Sequence, residues 1–559
     1  MTDTLAAAQS STGTPTAPAT VSATVPATVT VTNPVLPGFH PDPSLLRVGE
    51  DYYLATSTFQ WYPGVAIYHS RDLVHWRLAA RPLARLSQLD MRGNADSGGI
   101  WAPCLSHDGE AFHLIYTDVK SWGINEPFKD SHNYLVTAPA IEGPWSEPVY
   151  LNSSGFDPSL FHDVAEGGDG RKWLLNMLWD HRAGRNPFAG IVAQEYSPAE
   201  GRLVGPRTTI FTGTHLKVTE GPHVYKKDGW YYLLTAEGGT SWEHAVTLAR
   251  SRDLLGPYEV HPHNPLLTAV DDPGLPIQKS GHASLTDTPD GRWVMAHLCG
   301  RPLTPRGECP LGRETALQSL DWPEGEWPRL TGGGHHPALH ATLPALPSHP
   351  WPEVPARDDF QGEALRPEWL TLRAPAAELG VRLEDGGLVL PGREALMSRH
   401  HVALVGRRLQ SLHGRLRTEL SFDPRDFQQM AGLCAYYDSR NWVYARVSRD
   451  ETAGRALNVT SCENGVYREH LLADVPLGDL GRVGLEVRYS GDTFGFAYQV
   501  AGGGWTPVGP AFSAGLLSDE HCGGLSFTGT FLALTCQDLS GERREATFHW
   551  AEYTEGGDA

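Results

Sequence analysis

One phrase recurs five times within the first three hundred residues: a Pro- or Gly-marked start, an apolar strand, an Asp-Gly-like turn and an aromatic strand. The copies open at Asp42-Pro43-Ser44-Leu45, Ala102-Pro103-Cys104-Leu105, Asp157-Pro158-Ser159-Leu160, Glu220-Gly221-Pro222-His223 and Gly281-His282-Ala283-Ser284. Aromatic strands such as Asp51-Tyr52-Tyr53-Leu54, Trp173-Leu174-Leu175 and Tyr231-Tyr232-Leu233 answer them. Measured at the shared apolar position (Leu45, Leu105, Leu160, Val224, Leu285), the copies stand 55 to 64 residues apart. A period of about 40 to 60 residues built from short strands and tight turns is what propeller blades produce. Outer-strand signals recur too, as in Ser70-Arg71-Asp72-Leu73 and Ser251-Arg252-Asp253-Leu254. Four strands per phrase and five phrases predict a five-bladed β-propeller.

At 559 residues the chain exceeds one core, so two domains are expected. The first thirty residues are rich in Thr, Ala, Ser, Pro and Val and lack a basic segment followed by an apolar run, so they read as a disordered leader over 1–30 and not as a secretory signal. The propeller is expected over 31–345, followed by a Pro-marked linker over 346–357. From 358 to 559 the pattern alternates strictly, as in Trp442-Val443-Tyr444-Ala445-Arg446-Val447, which is that of half-solvated antiparallel strands and predicts a β-sandwich. The fold class is therefore all-β throughout.

The formal net charge of -20 argues against a nucleic-acid partner, and no apolar run approaches the length of a membrane span. A neutral ligand fits this balance better. Seven scattered cysteines without a CxxC pair signal neither a zinc clip nor a disulfide framework, and read as reduced thiols of a cytoplasmic protein.

Inner strands of a propeller line its central channel, so the residues that start them converge at one mouth. Asp42, Asp157 and Glu220 occupy equivalent points of phrases one, three and four on this reading. A single Asp-Pro is best explained as a turn cap. Three acids meeting in one pocket repel, which keeps one carboxyl protonated while another stays ionised, and that is the requirement of acid–base chemistry.

Asn33-Pro34-Val35-Leu36-Pro37-Gly38-Phe39-His40-Pro41-Asp42-Pro43-Ser44 resembles the opening of family 43 glycoside hydrolases, in particular their two-domain bacterial β-xylosidases. Gly99-Ile100-Trp101-Ala102-Pro103, Thr219-Glu220-Gly221-Pro222-His223 and Cys309-Pro310-Leu311-Gly312-Arg313-Glu314-Thr315 carry the same resemblance. It implies a five-bladed propeller followed by a concanavalin-like sandwich, and an inverting exo-hydrolase acting on xylooligosaccharides. By the same motifs Asp42 is the general base, Glu220 the general acid, and Asp157 the residue that holds the acid's pKa and orientation. Phe59, Trp101, Thr240, His282 and Arg313 are implied as substrate-binding residues, and Phe531 as a lid aromatic that the sandwich places over the pocket. No cofactor is required. A structural calcium in the channel, with His282 beside it, is the one metal the resemblance admits, although no oxygen-rich ligand cluster accompanies that histidine. Relatives imply a homo-oligomer, a dimer or a tetramer. Cys104 departs from the acidic residue usual after Ala-Pro in the family and is expected beside the pocket wall. α-L-Arabinofuranosidase activity is the alternative on the same scaffold. A carbohydrate-binding propeller without turnover is a further one, which would require loss of an acid that this chain retains.

Overall fold

The structure is a computed structural model that describes residues 1–2, 27–123, 126–164, 167–384, 386–478, 481–500, 503–522 and 526–556. Of the leader, residues 3–26 lie outside the described residues, and its last three belong to a strand, Thr28–Thr32, that pairs antiparallel with His340–Pro344. Asn33 ties this pair to the propeller: its side chain donates to Leu317 O (2.8 Å) and Ala338 O (2.9 Å) and accepts from the Leu317 amide (2.9 Å).

Each phrase folds as one antiparallel sheet, four of them four-stranded and one five-stranded. The innermost strands are Ser44–Val48, Gly99–His107, Ser159–His162, Glu220–Lys227 and Gln278–Asp287. Ser at the third position of the phrase has a definite task in joining blades. Ser284 accepts from the Leu45 amide of the next blade (2.8 Å), and Ser44 accepts from the Leu105 amide (3.0 Å). These bonds satisfy inner-strand amides across the seam between blades, where an unpaired buried donor would be costly. Cys104 occupies the same position, between the Ser44 hydroxyl and the Leu160 amide, and burial pushes its thiol up. It packs with Ile115, Leu160, Leu174 and Tyr196 between blades. The expectation that it borders the pocket is therefore corrected: the side chain belongs to the seam between blades two and three, and it does not line the cavity.

Chain segment 346–357 crosses the surface of the first blade. The His349 amide donates to Asp72 Oδ2 (2.7 Å), and the Trp351 ring lies 4.0 Å beneath the Arg77 guanidinium. The second domain stacks an eight-stranded sheet on a seven-stranded one around a continuous core that includes Leu416, Leu433, Leu485 and Phe548. All seven cysteines are unpaired and buried, and no helix among the described residues is long and apolar enough to cross a membrane.

The domains share structure, not just a border. Thr371–Leu372 of the sandwich pairs with Trp61–Tyr62 of the propeller. Trp61 is fully buried and stacks on Phe531 with ring centroids 3.6 Å apart. Arg373, also buried, donates from Nε to Asn94 O (2.9 Å) and pairs with Asp96 (2.6 Å), which in turn holds Ser439 and Arg399 of the sandwich. Truncating a buried aromatic of this kind costs about 3–5 kcal/mol. Trp61→Ala is accordingly expected to lower the calorimetric unfolding temperature clearly and to separate the unfolding of the two domains into distinct transitions, whereas a truncation of exposed Phe427 should leave the profile unchanged.

Candidate active site

The phrase builds the channel mouth through backbone conformation. Its first aligned residue has left-handed φ in every blade: Asp42 (54°), Ala102 (33°), Asp157 (55°), Gly221 (57°) and His282 (40°). Non-glycine residues adopt this region rarely, and four of them in register with Gly221 at one mouth mark a shared bend. This ring also corrects the sequence alignment. Glu220 is not equivalent to Asp42 and Asp157; the glycine that follows it is, and Glu220 stands one residue earlier. The residues before the bend in blades two, three and four are Trp101, Phe156 and Glu220, and all three line the pocket. One ring thus points two aspartates and a histidine at the channel axis, while the preceding ring forms the wall that carries the glutamate.

Each aspartate reaches toward the bend of the following blade. Asp157 Oδ2 accepts from the Gly221 amide (3.1 Å). Asp42 does the same through a relay, in which Ser57 Oγ donates to Asp42 Oδ2 (2.6 Å) and accepts from the Ala102 amide (2.7 Å). His282 Nδ1 lies 3.9 Å from both Asp42 Oδ1 and Asp157 Oδ2. Burial holds the His282 imidazole below its usual pKa, against the pull of Asp42.

Glu220 is presented by a strained loop. Lys217 (φ 64°) and Val218 (φ 52°) are both left-handed, the second being β-branched, where the cost is greatest. The loop is held by Glu237, which is fully buried and accepts from the Thr214 amide (2.9 Å), the Thr214 hydroxyl and the Thr219 hydroxyl (3.0 Å). Enclosure pushes the Glu220 carboxyl up to about 8; the Asp42 charge adds to the rise, and Arg313 and Lys129 oppose it. Asp157 is also raised well above the ordinary range, first by burial and then by the charges of Glu220 and Asp42.

These groups open into a cavity of about 300 Å³, at the lower end of the roughly 300–1,000 Å³ typical of small-molecule sites. Asp42, Asp157, Glu220, Phe59, Trp101, Thr240, His282 and Arg313 all line it. Phe531 does not. It begins the sandwich strand Phe531–Asp538 and is fully buried against Trp61 and Phe39. The sandwich aromatic in the pocket is Phe527, packed on Trp122 (centroids 4.8 Å) and Phe59 (5.7 Å), with its amide donating to Ser97 Oγ (3.1 Å). The lid expectation thus names the right segment and the wrong phenylalanine; residues 523–525 of that segment lie outside the described residues.

Sequence reasoning also passed over Trp122, Lys129, Trp179 and Phe188, which complete the wall. None falls on the repeated phrase. The one available signal was Phe156, adjacent to Asp157. Lys129 Nζ stands over the Trp179 ring at 4.5 Å, and its charge is felt at Glu220.

Arg313 depends on two glycines. Gly312 has φ +74°, and a Cβ there would lie 2.2 Å from Thr528 O; a Cβ on Gly529 would lie 2.6 Å from Leu311 O. The two backbones touch because neither carries a side chain, and Thr530 N donates to Pro310 O (3.0 Å) across the contact.

Calcium is poorly matched to the channel. It takes six to eight oxygen ligands, and His282 faces two carboxylates already engaged with Ser57 and the Gly221 amide. Among the described residues, the one group of three His, Cys, Asp or Glu side chains close enough to share an ion is Asp271, His335 and His336, which excludes His282.

A propeller whose mouth sets three carboxylates around an aromatic sugar-sized pocket, with Glu220 and Asp157 held toward their protonated forms, has the architecture of a glycoside hydrolase. The chain belongs to the family described as glycosyl hydrolases family 43, whose model matches residues 31–328, and residues 357–554 match the β-xylosidase C-terminal concanavalin A-like domain. It is 51% identical to the xylosidase/arabinosidase 43B of Humicola insolens, over 93% of this chain and 97% of that one. It is 44% identical to a xylan 1,3-beta-xylosidase of a Vibrio species, over 94% of this chain and 99% of that one. The crystal structure of xylan beta-1,4-xylosidase from Bacillus halodurans C-125 superposes with a TM-score of 0.92 at 53% identity, covering 94% of this chain and all of that one.

The raised carboxyl has a thermodynamic consequence of definite sign. An unfolded Glu ionises near the ordinary value of 4.5, whereas folded Glu220 holds its proton to about 8. Folding therefore takes up a proton between those values, and this site's contribution to stability falls as pH rises from the first to the second. Glu220→Gln is expected to lose that dependence and to be more stable than the parent at pH 8 than at pH 4, measured as the difference in denaturant midpoints.

Proposed function

We propose that the chain is an inverting, exo-acting β-1,4-xylosidase that releases xylose from the non-reducing ends of short xylooligosaccharides. The observation that carries the reading is Glu220, protonated by enclosure and by the neighbouring Asp42, in a pocket with room for little more than a terminal sugar. Glu220 protonates the departing glycosidic oxygen. Asp42, oriented by Ser57, takes a proton from the water that attacks the anomeric carbon from the opposite face. Inversion requires space for that water, about 6.5–9.5 Å between the two carboxyls; Asp42 and Glu220 come from blades one and four and line the same cavity. Asp157 remains fixed by the Gly221 amide, and its own carboxyl is raised by burial and by the charges of Glu220 and Asp42. Aromatic faces of Phe59, Trp101 and Phe527 surround the ring, and Arg313 and Thr240 supply polar contacts.

The β-1,4 linkage is supported by likeness to the Bacillus halodurans xylosidase, which exceeds that to the Vibrio 1,3-xylosidase. α-L-Arabinofuranosidase activity in the same pocket is the second reading, favoured by the name of the Humicola relative; relative kcat/KM on the two aryl glycosides decides which dominates. The free, buried thiols are in keeping with a cytoplasmic location, and a dimer or tetramer is proposed from the family alone.

The expected first product from a β-xyloside is α-xylose, seen by proton NMR before mutarotation; β-xylose would contradict inversion. Glu220→Ala should lose xylobiose hydrolysis by roughly 10²–10⁴-fold and far less on aryl xylosides whose leaving groups need no proton. Asp42→Ala should abolish both.

A further inference from the structure

The sandwich contributes charge to the pocket as well as an aromatic ring. Arg313 is 4% exposed and is held by the sandwich on two sides. Its guanidinium lies 4.4 Å from the Phe527 ring centroid, and its Nε lies 3.5 Å from Asp519 Oδ2. Neither of these two atoms has a hydrogen-bond partner; the contact with Asp519 answers the Arg313 charge, and Asp519 Oδ2 lies also 4.0 Å from Lys279 Nζ of the propeller. The other oxygen of Asp519 accepts from the Tyr437 hydroxyl, which fixes the carboxylate from within the sandwich. Next in sequence, Glu520 pairs with Lys279 and accepts from the Cys309 amide (2.9 Å). Two consecutive sandwich acids thereby grip both the cation and the backbone of the loop that ends in Arg313. Buried carboxylates persist only when paired in this way.

We propose that Asp519 is a positioning residue for hydrolysis: it holds the Arg313 guanidinium against the pocket and balances its charge, so that the sandwich sets the field in which Glu220 keeps its proton. This rests on the glycosidase reading above. Arg313 is faced by Asp519 from the sandwich and by Glu220, Asp157, His244 and His282 from the propeller. Glu220 is faced by Asp42, Asp157, Arg313 and Lys129. With Asp519 neutral, the Arg313 charge would be answered by the pocket acids alone. That favours ionised Glu220, lowers its pKa, and brings the alkaline fall of activity to lower pH.

Asp519→Asn preserves shape and removes the charge. Profiles of kcat/KM against pH on an aryl β-xyloside, beside thermal unfolding curves, test the proposal. The expected result is an alkaline limb displaced downward by about half a pH unit or more, a loss of ~10-fold or more in kcat/KM at pH 8, and partial restoration of both by Asp519→Glu. An unmoved limb with kcat/KM within twofold of the parent would overturn it. Should Asp519→Asn fail to fold, Tyr437→Phe releases the carboxylate while keeping its charge. KM should then rise several-fold with the limb in the parent's position, and an unchanged KM overturns the proposal. A parent chain inactive on both aryl xyloside and aryl arabinofuranoside would sink the glycosidase reading itself, an outcome distinct from any variant difference.

Discussion

Repulsion among carboxylates buried at the propeller mouth is the constraint around which the rest of this molecule is arranged. Asp42, Asp157 and Glu220 share one small enclosure, and two of them are pushed far from their ordinary protonation behaviour as a result. Such a site cannot be left to itself. Charges alternate outward from it, with Arg313 and Lys129 facing the acids, Asp519 facing Arg313, and Lys279 paired with Glu520 alongside. The outer acids of that series, Asp519 and Glu520, come from the sandwich. The second domain is thus part of the active site's electrostatics, and the shared strand pair and the Trp61–Phe531 stack hold it in register.

Strain is concentrated in the same place. The five left-handed bends, the Lys217-Val218 turn and the Gly312–Gly529 approach all lie at the mouth or at the domain contact beside it. A rigid ring of blades, tied by Ser44 and Ser284 across their seams, can support backbone conformations that an isolated loop would relax.

How much of this was legible in the sequence follows from what the repeat encodes. The phrase marks inner strands directly, so five blades and the residues at their starts were readable. Position within the phrase was less secure, because Glu220-Gly221 offers two candidate starting points and only the backbone shows that the glycine makes the bend. No signal in the sequence separates two phenylalanines four residues apart, Phe531 opening a strand and Phe527 lying within the loop before it. Trp122 and Lys129 come from an inter-strand loop that carries no repeat, Trp179 closes a strand beyond the repeated motif, and Asp519 meets Arg313 across a domain boundary. Contacts of those kinds leave no periodic trace.

The central claim is that enclosure and neighbouring charge keep Glu220 protonated near neutrality. A carbon-13 NMR titration of glutamate side-chain carboxyls, with the Glu220 signal assigned by its loss in Glu220→Gln, measures this directly. The account predicts a midpoint near 8 in the parent chain and a lower one in Asp42→Asn. A Glu220 midpoint in the usual glutamate range of about 4–5, unchanged by Asp42→Asn, would contradict it.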